Sequence, residues 1–131
     1  MAVEFRVDRG GGVPAYVQLG NQVREALRLG WLRPGDRLPT VRDVVSSSGV
    51  NPNTVLKAYR QLELEGLIEA RQGSGTFVKR SLGSVDPEAM ARLRVRLARW
   101  TGDAREAGME DEDIQALVGD VLAESTVDRT R

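Results

Sequence analysis

Val50-Asn51-Pro52-Asn53-Thr54-Val55-Leu56-Lys57-Ala58-Tyr59-Arg60-Gln61-Leu62 is the stretch on which the fold turns. Its first residues read as a helix start. Asn51 offers a side-chain acceptor to the orphan N–H groups, and Pro52 suits the first helical position, where no donor is needed. At 3.6 residues per turn, Val55, Ala58, Tyr59 and Leu62 fall on one side. Asn53, Lys57, Arg60 and Gln61 gather on the other, with Thr54 at its edge. That polar side contains no acid. The pattern fits an ordinary amphipathic helix, yet solvated faces usually mix both signs, so it also fits a polyanion partner. Amides at the exposed N-terminal end of a helix suit base edges and phosphates in a major groove.

The flanks separate those readings. Upstream, Pro14 opens a predicted helix to about Leu29, with Tyr16, Leu19, Val23, Ala26 and Leu27 at helical spacing and Gly30 placed as its C-cap. Pro34-Gly35-Asp36 reads as a turn. Thr40 and Asp43 form a capping-box-like pair for a short helix from Val41 to about Ser48, which Gly49 ends. Helix, glycine turn, helix is the helix-turn-helix signature. Downstream, Leu67–Ala70 and Thr76–Lys79 read as strands joined by Arg71-Gln72-Gly73-Ser74-Gly75. A basic, glycine-containing hairpin after a recognition helix is a wing: Arg71 supplies charge, and the Gln72, Gly73 and Ser74 tip suits a narrow groove. Ahead of all this, Phe5-Arg6-Val7 reads as a short strand and Gly10-Gly11-Gly12 as a flexible lead-in.

Composition narrows the function. The 131 residues contain neither Cys nor His, which removes thiol catalysis, Ser-His-Asp chemistry and the usual zinc sites. No disulfide, cofactor or enzyme activity is expected. No apolar run is long enough to span a membrane, and the first residues lack the order of a signal peptide. The net charge of zero hides an asymmetry: residues 1–80 carry 12 Lys/Arg against 8 Asp/Glu, and residues 81–131 carry 7 against 11. A basic first part and an acidic second part place nucleic acid at the first.

Two modules are therefore expected, 1–80 and 81–131. In the second, Asp86-Pro87 starts a helix whose Met90, Leu93, Leu97, Trp100 and Ala104 are spaced as a helix-packing seam. Arg92, Arg94, Arg96, Arg99 and Arg105 lie mostly off it, as a solvated face that pairs with acids or as a second nucleic-acid patch. Gly108 ends this helix. Glu110-Asp111-Glu112-Asp113 then sits at the next N-terminus, where the dipole favours it; consecutive carboxylates point around a helix, so no metal site is expected. Ile114, Leu117, Val118, Val121 and Leu122 form a second stripe, and Ser125 to Arg131 is expected to fray. Two stripes with so little chain to cover them call for self-association.

The run from Pro14 to Val78 resembles the winged helix-turn-helix domain of GntR-family bacterial transcription regulators. The resemblance rests on Pro14-Ala-Tyr-Val-Gln18, Gly30-Trp-Leu-Arg-Pro-Gly-Asp-Arg-Leu-Pro39, Val41-Arg42-Asp43, Val50-Asn-Pro-Asn-Thr-Val55, Leu62-Glu-Leu-Glu-Gly66 and Gln72-Gly-Ser-Gly-Thr-Phe-Val78. The Asn-Pro-Asn-Thr variant and short tail resemble the YtrA-type subfamily. It implies a mainly α fold with a small β-hairpin: a winged helix-turn-helix domain and a two-helix dimerisation tail. It also implies a cytoplasmic homodimeric repressor on a pseudo-palindromic operator in double-stranded DNA, often beside transporter genes. By motif position Arg42, Asn51, Asn53, Thr54 and Gly73 match DNA contacts, and Lys57 and Arg71 are expected on phosphates. Pro52 and Leu56 stand where longer-tailed relatives often carry arginine, so the operator does not transfer, although Leu56 can meet a thymine methyl. Ser48 replaces a usually buried Leu, so looser packing is expected under the second helix. The tail is too small for a small-molecule pocket of the kind longer-tailed relatives enclose. A winged helix that binds protein instead of DNA is the alternative, separable by salt dependence.

Overall fold

The computed structural model describes residues 3–129. It contains α1 (Ala15–Arg28), α2 (Val41–Ser48), α3 (Pro52–Leu64), β1 (Ile68–Arg71), β2 (Gly75–Val78), α4 (Pro87–Glu106) and α5 (Asp111–Arg129). The chain divides into two compact units, Met1–Val85 and Asp86–Arg131.

The first unit is held by one core. Leu19, Val23 and Leu27 of α1 meet Val55 and Leu62 of α3, and Val44, Leu32, Leu38, Ile68 and Val78 close it from the remaining elements. Each of these is at most 2% exposed. Removing one such Leu side chain costs about 2–5 kcal/mol, so each of these contacts is a large part of the stability of this unit. Arg24 adds a two-pronged clamp, Nη2 to Glu65 Oε2 at 2.6 Å and Nε to Oε1 at 3.2 Å, which ties α1 to the end of α3. Local chemistry sets the ends of α2 and α3. Thr40 Oγ1 accepts the Asp43 N–H while the Asp43 carboxylate accepts the Thr40 N–H. Asn51 Oδ1 accepts the Asn53 N–H, with Pro52 at the first helical position. Between the two helices Gly49 takes φ 72, a left-handed conformation that favours glycine.

Four expectations are adjusted. Phe5–Val7 is not a strand: the segment has no regular secondary structure, and α1 side chains satisfy its backbone in place of a second strand. Gln22 accepts from the Arg6 N–H and donates to the Arg6 carbonyl, and Gln18 does the same for Asp8. Phe5 is thereby buried in the core. The strands begin and end within a residue of their predicted limits, but the wing is more than a hairpin. Gly35–Leu38 runs along β2, with Leu38 N–H to Thr76 O at 2.8 Å, Val78 N–H to Asp36 O at 2.8 Å and Gly35 N–H to Val78 O at 2.9 Å. The first unit also reaches past residue 80. Leu82 packs on the core, and a Cβ on Gly83 would lie 2.5 Å from the Arg28 carbonyl oxygen, so only glycine fits where the chain passes the end of α1. Finally, α5 stays helical to Arg129 through the stretch expected to fray, of which Thr130 and Arg131 lie outside the described residues.

Ser48 shows how a polar residue is accommodated under α2. Its hydroxyl donates to the Val44 carbonyl at 2.5 Å and accepts the Val50 N–H at 3.3 Å. Val44 is the fully buried residue of α2, and Val41 and Val45 pack half-buried against the core, so the helix rests on these valines and on its cap.

In the second unit α4 and α5 are joined at Gly108, φ 99. Ala104 and Ile114, near the turn, are buried at 7% and 8%. Beyond them the stripes stay open, with Leu93, Leu97 and Val121 half exposed. Ile114, expected on the self-association surface, is instead used inside the single chain, because it lies at the closed end of the helix pair.

Candidate nucleic-acid interface

From Asn51 to Leu62 there is no acid; the carboxylates of this region, Glu63 and Glu65, come at the C-terminal end of α3. The N-terminus of α3 thus joins the positive end of its dipole to a neutral-to-cationic surface. Asn53 is exposed and Thr54 half-buried. Asn51 spends its carbonyl oxygen on the cap, which leaves its amide N–H groups as the available donors.

Arg42 is exposed in the first turn of α2. Among the described residues the ion pairs are Arg24–Glu65, Arg71–Glu69 and Arg105–Asp111, so Arg42 is not held by a neighbouring acid. Its backbone is fixed by the capping box at Thr40 and by Tyr59, whose hydroxyl donates to the Pro39 carbonyl at 2.6 Å. That hydroxyl's ionisation is pushed well above the usual tyrosine range, first by burial and then by the Asp43 carboxylate. It remains a neutral donor across the working pH range.

Lys57 is exposed, and its ammonium lies 4.0 Å from the centroid of the Tyr16 ring. The ring steadies the cation without neutralising it, a contact worth about 0.5–1 kcal/mol at an exposed site. Arg71 is differently placed. Its Nη2 and Nε donate to Glu69 Oε1 at 2.9 and 3.1 Å, and its guanidinium lies 4.4 Å from the Phe77 ring centroid. The tip is exposed: Ser74 N–H closes a turn on the Arg71 carbonyl, and Gly73 at φ 78 allows it. Gln72, Gly73 and Ser74 are all solvent-facing.

Two cations absent from the sequence reading lie on this unit. Arg9 donates from Nη2 to the Gly49 carbonyl at 2.9 Å, beside the start of α3. Arg37 lies against Gly75 at the base of the wing tip. Neither sits in a periodic pattern; both are placed by pairing between segments distant in the chain. Among the described residues no group of His, Cys, Asp or Glu could hold a metal ion, and no helix is long and apolar enough to cross a membrane.

Comparison with known proteins gives this surface a context. Residues 15–78 match the family model described as bacterial regulatory proteins, gntR family. The chain is 34% identical over 121 residues to the HTH-type transcriptional repressor YtrA of Bacillus subtilis, spanning 92% of this chain and 93% of that protein. It is 42% identical over 109 residues to an HTH-type transcriptional regulator of Mycobacterium tuberculosis, spanning 83% of this chain and 86% of the relative. Among solved structures, YtrA from Sulfolobus acidocaldarius, a GntR-family transcription factor, aligns with a TM-score of 0.53 at 36% identity, covering 72% of this chain and 95% of that one. The match spans the capped α2, the acid-free α3 and the wing in one continuous run, and the chain therefore belongs to the GntR family of DNA-binding transcription regulators, which are not enzymes.

Proposed function

We propose that this chain is a cytoplasmic homodimeric repressor that binds a pseudo-palindromic operator in double-stranded DNA and acts by blocking a promoter. The observation that carries the DNA-binding part is the acid-free start of α3 together with an Arg42 that no acid holds among the described residues. In this reading α3 enters the major groove, where Asn51, Asn53 and Thr54 meet base edges and phosphates and Leu56, 43% exposed, can meet a thymine methyl. Arg42 and Lys57 hold the backbone and set register, and Gln72, Gly73 and Ser74 approach the minor groove. Control of a transporter operon fits the likeness to YtrA-type repressors.

The dimer is supported by the tail. Leu93, Leu97 and Trp100 of α4 and Leu117, Val118 and Val121 of α5 are 36–55% exposed in one chain, and a contiguous apolar face of this kind marks an association surface. Met90 and Leu122 extend the same two stripes. Two-fold symmetry would set two α3 helices about one DNA turn apart and make the second half-site contact intramolecular, a gain of roughly 10²–10⁴ in affinity. The groove between the stripes is lined by Leu97, Trp100, Leu117, Val118, Val121 and Leu122, with no polar group to orient a small molecule. No effector bound by the tail is needed in this reading.

Light scattering and duplex titration test both parts. The intact chain should be dimeric, and Leu97→Glu with Trp100→Glu should make it monomeric and weaken full-operator binding by about the avidity factor. A wild-type chain that stays monomeric at micromolar concentration refutes the dimer. Binding to duplex DNA that ignores salt refutes the electrostatic docking on which the rest depends.

A further inference from the structure

The outward face of the wing carries two guanidinium groups and one carboxylate, and the structure divides their work. The antiparallel register sets Glu69 opposite Phe77 and Arg71 opposite Gly75, and Arg37 bridges to Phe77 from the other side of β2. Directly paired residues share a face, and residues two apart along a strand share it too. Arg37, Phe77 and Glu69 therefore form one row, with Gly75 and Arg71 beside it. Ile68 and Val78, on the same strands, are buried in the core.

The single carboxylate in the row is taken. Arg71 gives Glu69 Oε1 two hydrogen bonds and lies over the Phe77 ring. Two of the five N–H donors of this guanidinium are committed to Glu69, and the carboxylate beside it offsets its charge, so its attraction for a phosphate is reduced. Arg37 is in the opposite state. Its guanidinium lies on the backbone of Gly75: a Cβ there would come within 2.9 Å of Nε and 3.1 Å of Nη2. No ion pair involves Arg37 among the described residues. The neighbouring carboxylates are otherwise placed. Asp36 accepts the Arg33 N–H, Asp43 serves the capping box, and Glu4, which lines the same open groove as Arg37, is not within ion-pairing distance. Gly75 itself is at φ 117, in the left-handed region, so glycine is needed there both for the backbone and as the seat of the cation.

We propose that Arg37, seated on Gly75, is the phosphate-binding cation of the wing, and that Arg71, expected from the sequence to hold a phosphate, is instead the brace of the wing's outer face. The ligand is the phosphodiester backbone of duplex DNA, so this inference rests on the DNA-binding reading above. A planar fork of N–H donors fits two phosphate oxygens at once.

The test uses the full chain, a short mixed-sequence duplex and a salt series read by fluorescence anisotropy. Each phosphate contact adds about 0.9 to the slope of log K against log salt. Arg37→Gln is expected to lower the slope by about that amount, which makes the affinity loss about threefold greater at about 50 mM than at about 200 mM salt. Arg37→Lys, which keeps the charge, should restore most of the slope, and Arg71→Gln should leave it unchanged. Glu69→Gln should raise it, because Arg71 is released. A wild-type slope in Arg37→Gln overturns the assignment, as does a drop in Arg71→Gln. An unchanged slope in Glu69→Gln overturns the brace. If Arg37→Gln melts early, Arg71→Gln and Glu69→Gln still decide the division of labour. Failure of the wild-type chain to bind the duplex at low salt would refute the DNA-binding reading itself.

Discussion

Thr40→Ala perturbs the placement of Arg42 without touching DNA. Thr40 is exposed, so the change removes almost no buried surface; what it removes is the acceptor for the Asp43 N–H, 3.1 Å away. Loss of a Thr cap costs about 1 kcal/mol, within a range of roughly 0.5–2. The reciprocal bond from the residue-40 N–H to Asp43 survives, which argues against the upper end. α2 has eight residues, too few to be stable alone, and one fully buried anchor in Val44, with Val41 and Val45 half-buried against the core. The loss should therefore appear first as local opening of α2, about fivefold more frequent by the usual conversion of free energy to an equilibrium constant. Native-state hydrogen exchange should show that factor in the α2 amides and little change in α1. If opening is global, the melting temperature should fall by roughly 4–8 °C. DNA affinity should drop by no more than the same factor, since Arg42 must be re-ordered on binding, and Thr40→Ser should recover all three readings. A Thr40→Ala chain with wild-type melting and wild-type α2 protection would refute the view that the cap, more than burial, holds this helix.

The other predictions concern single side chains. Arg42→Ala should weaken specific DNA binding by about 1–3 kcal/mol with unchanged melting; an unchanged binding curve removes Arg42 from the interface. Lys57→Ala should lower the salt slope by about one unit and weaken all sequences alike; altered sequence preference with no slope change would mean that Lys57 reads a base. Tyr59→Phe removes the donor to the Pro39 carbonyl and should cost about 1–3 kcal/mol if that carbonyl is left unsatisfied. It should also change the pH dependence of stability. The folded hydroxyl ionises above its unfolded value of about 10, so the unfolded state loses its proton first and stability falls as pH rises past that point. The wild type should lose about 1.4 kcal/mol per pH unit there through this group, and Tyr59→Phe should lack that component. Parallel denaturation curves for the two chains above pH 10 would refute the assignment.

The sequence alone determined the elements whose causes are local. Thr40, Asp43 and Asn51 each satisfy a backbone N–H within three residues, Pro52 takes the first helical position where no donor is needed, and Gly49 takes the left-handed turn between the helices, so the helix-turn-helix follows from local chemistry. Helical spacing of Leu19, Val23 and Leu27 against Val55 and Leu62 fixed which faces meet, because only one face of each helix is apolar. Tertiary structure decided what depends on segments far apart in the chain. Residues 5–8 became an irregular segment tied to α1 in place of a strand because Gln18 and Gln22 reach them from that helix. Gly35–Leu38 became part of the wing because β2 offers it a free edge. Tyr16, legible only as a core residue, turned out to carry Lys57 on its ring. In the sequence Arg71 stood out as the cation of the wing, and Arg37 did not. Cross-strand register separated them: it gave one arginine a carboxylate and an aromatic ring, and the other only the backbone of a glycine.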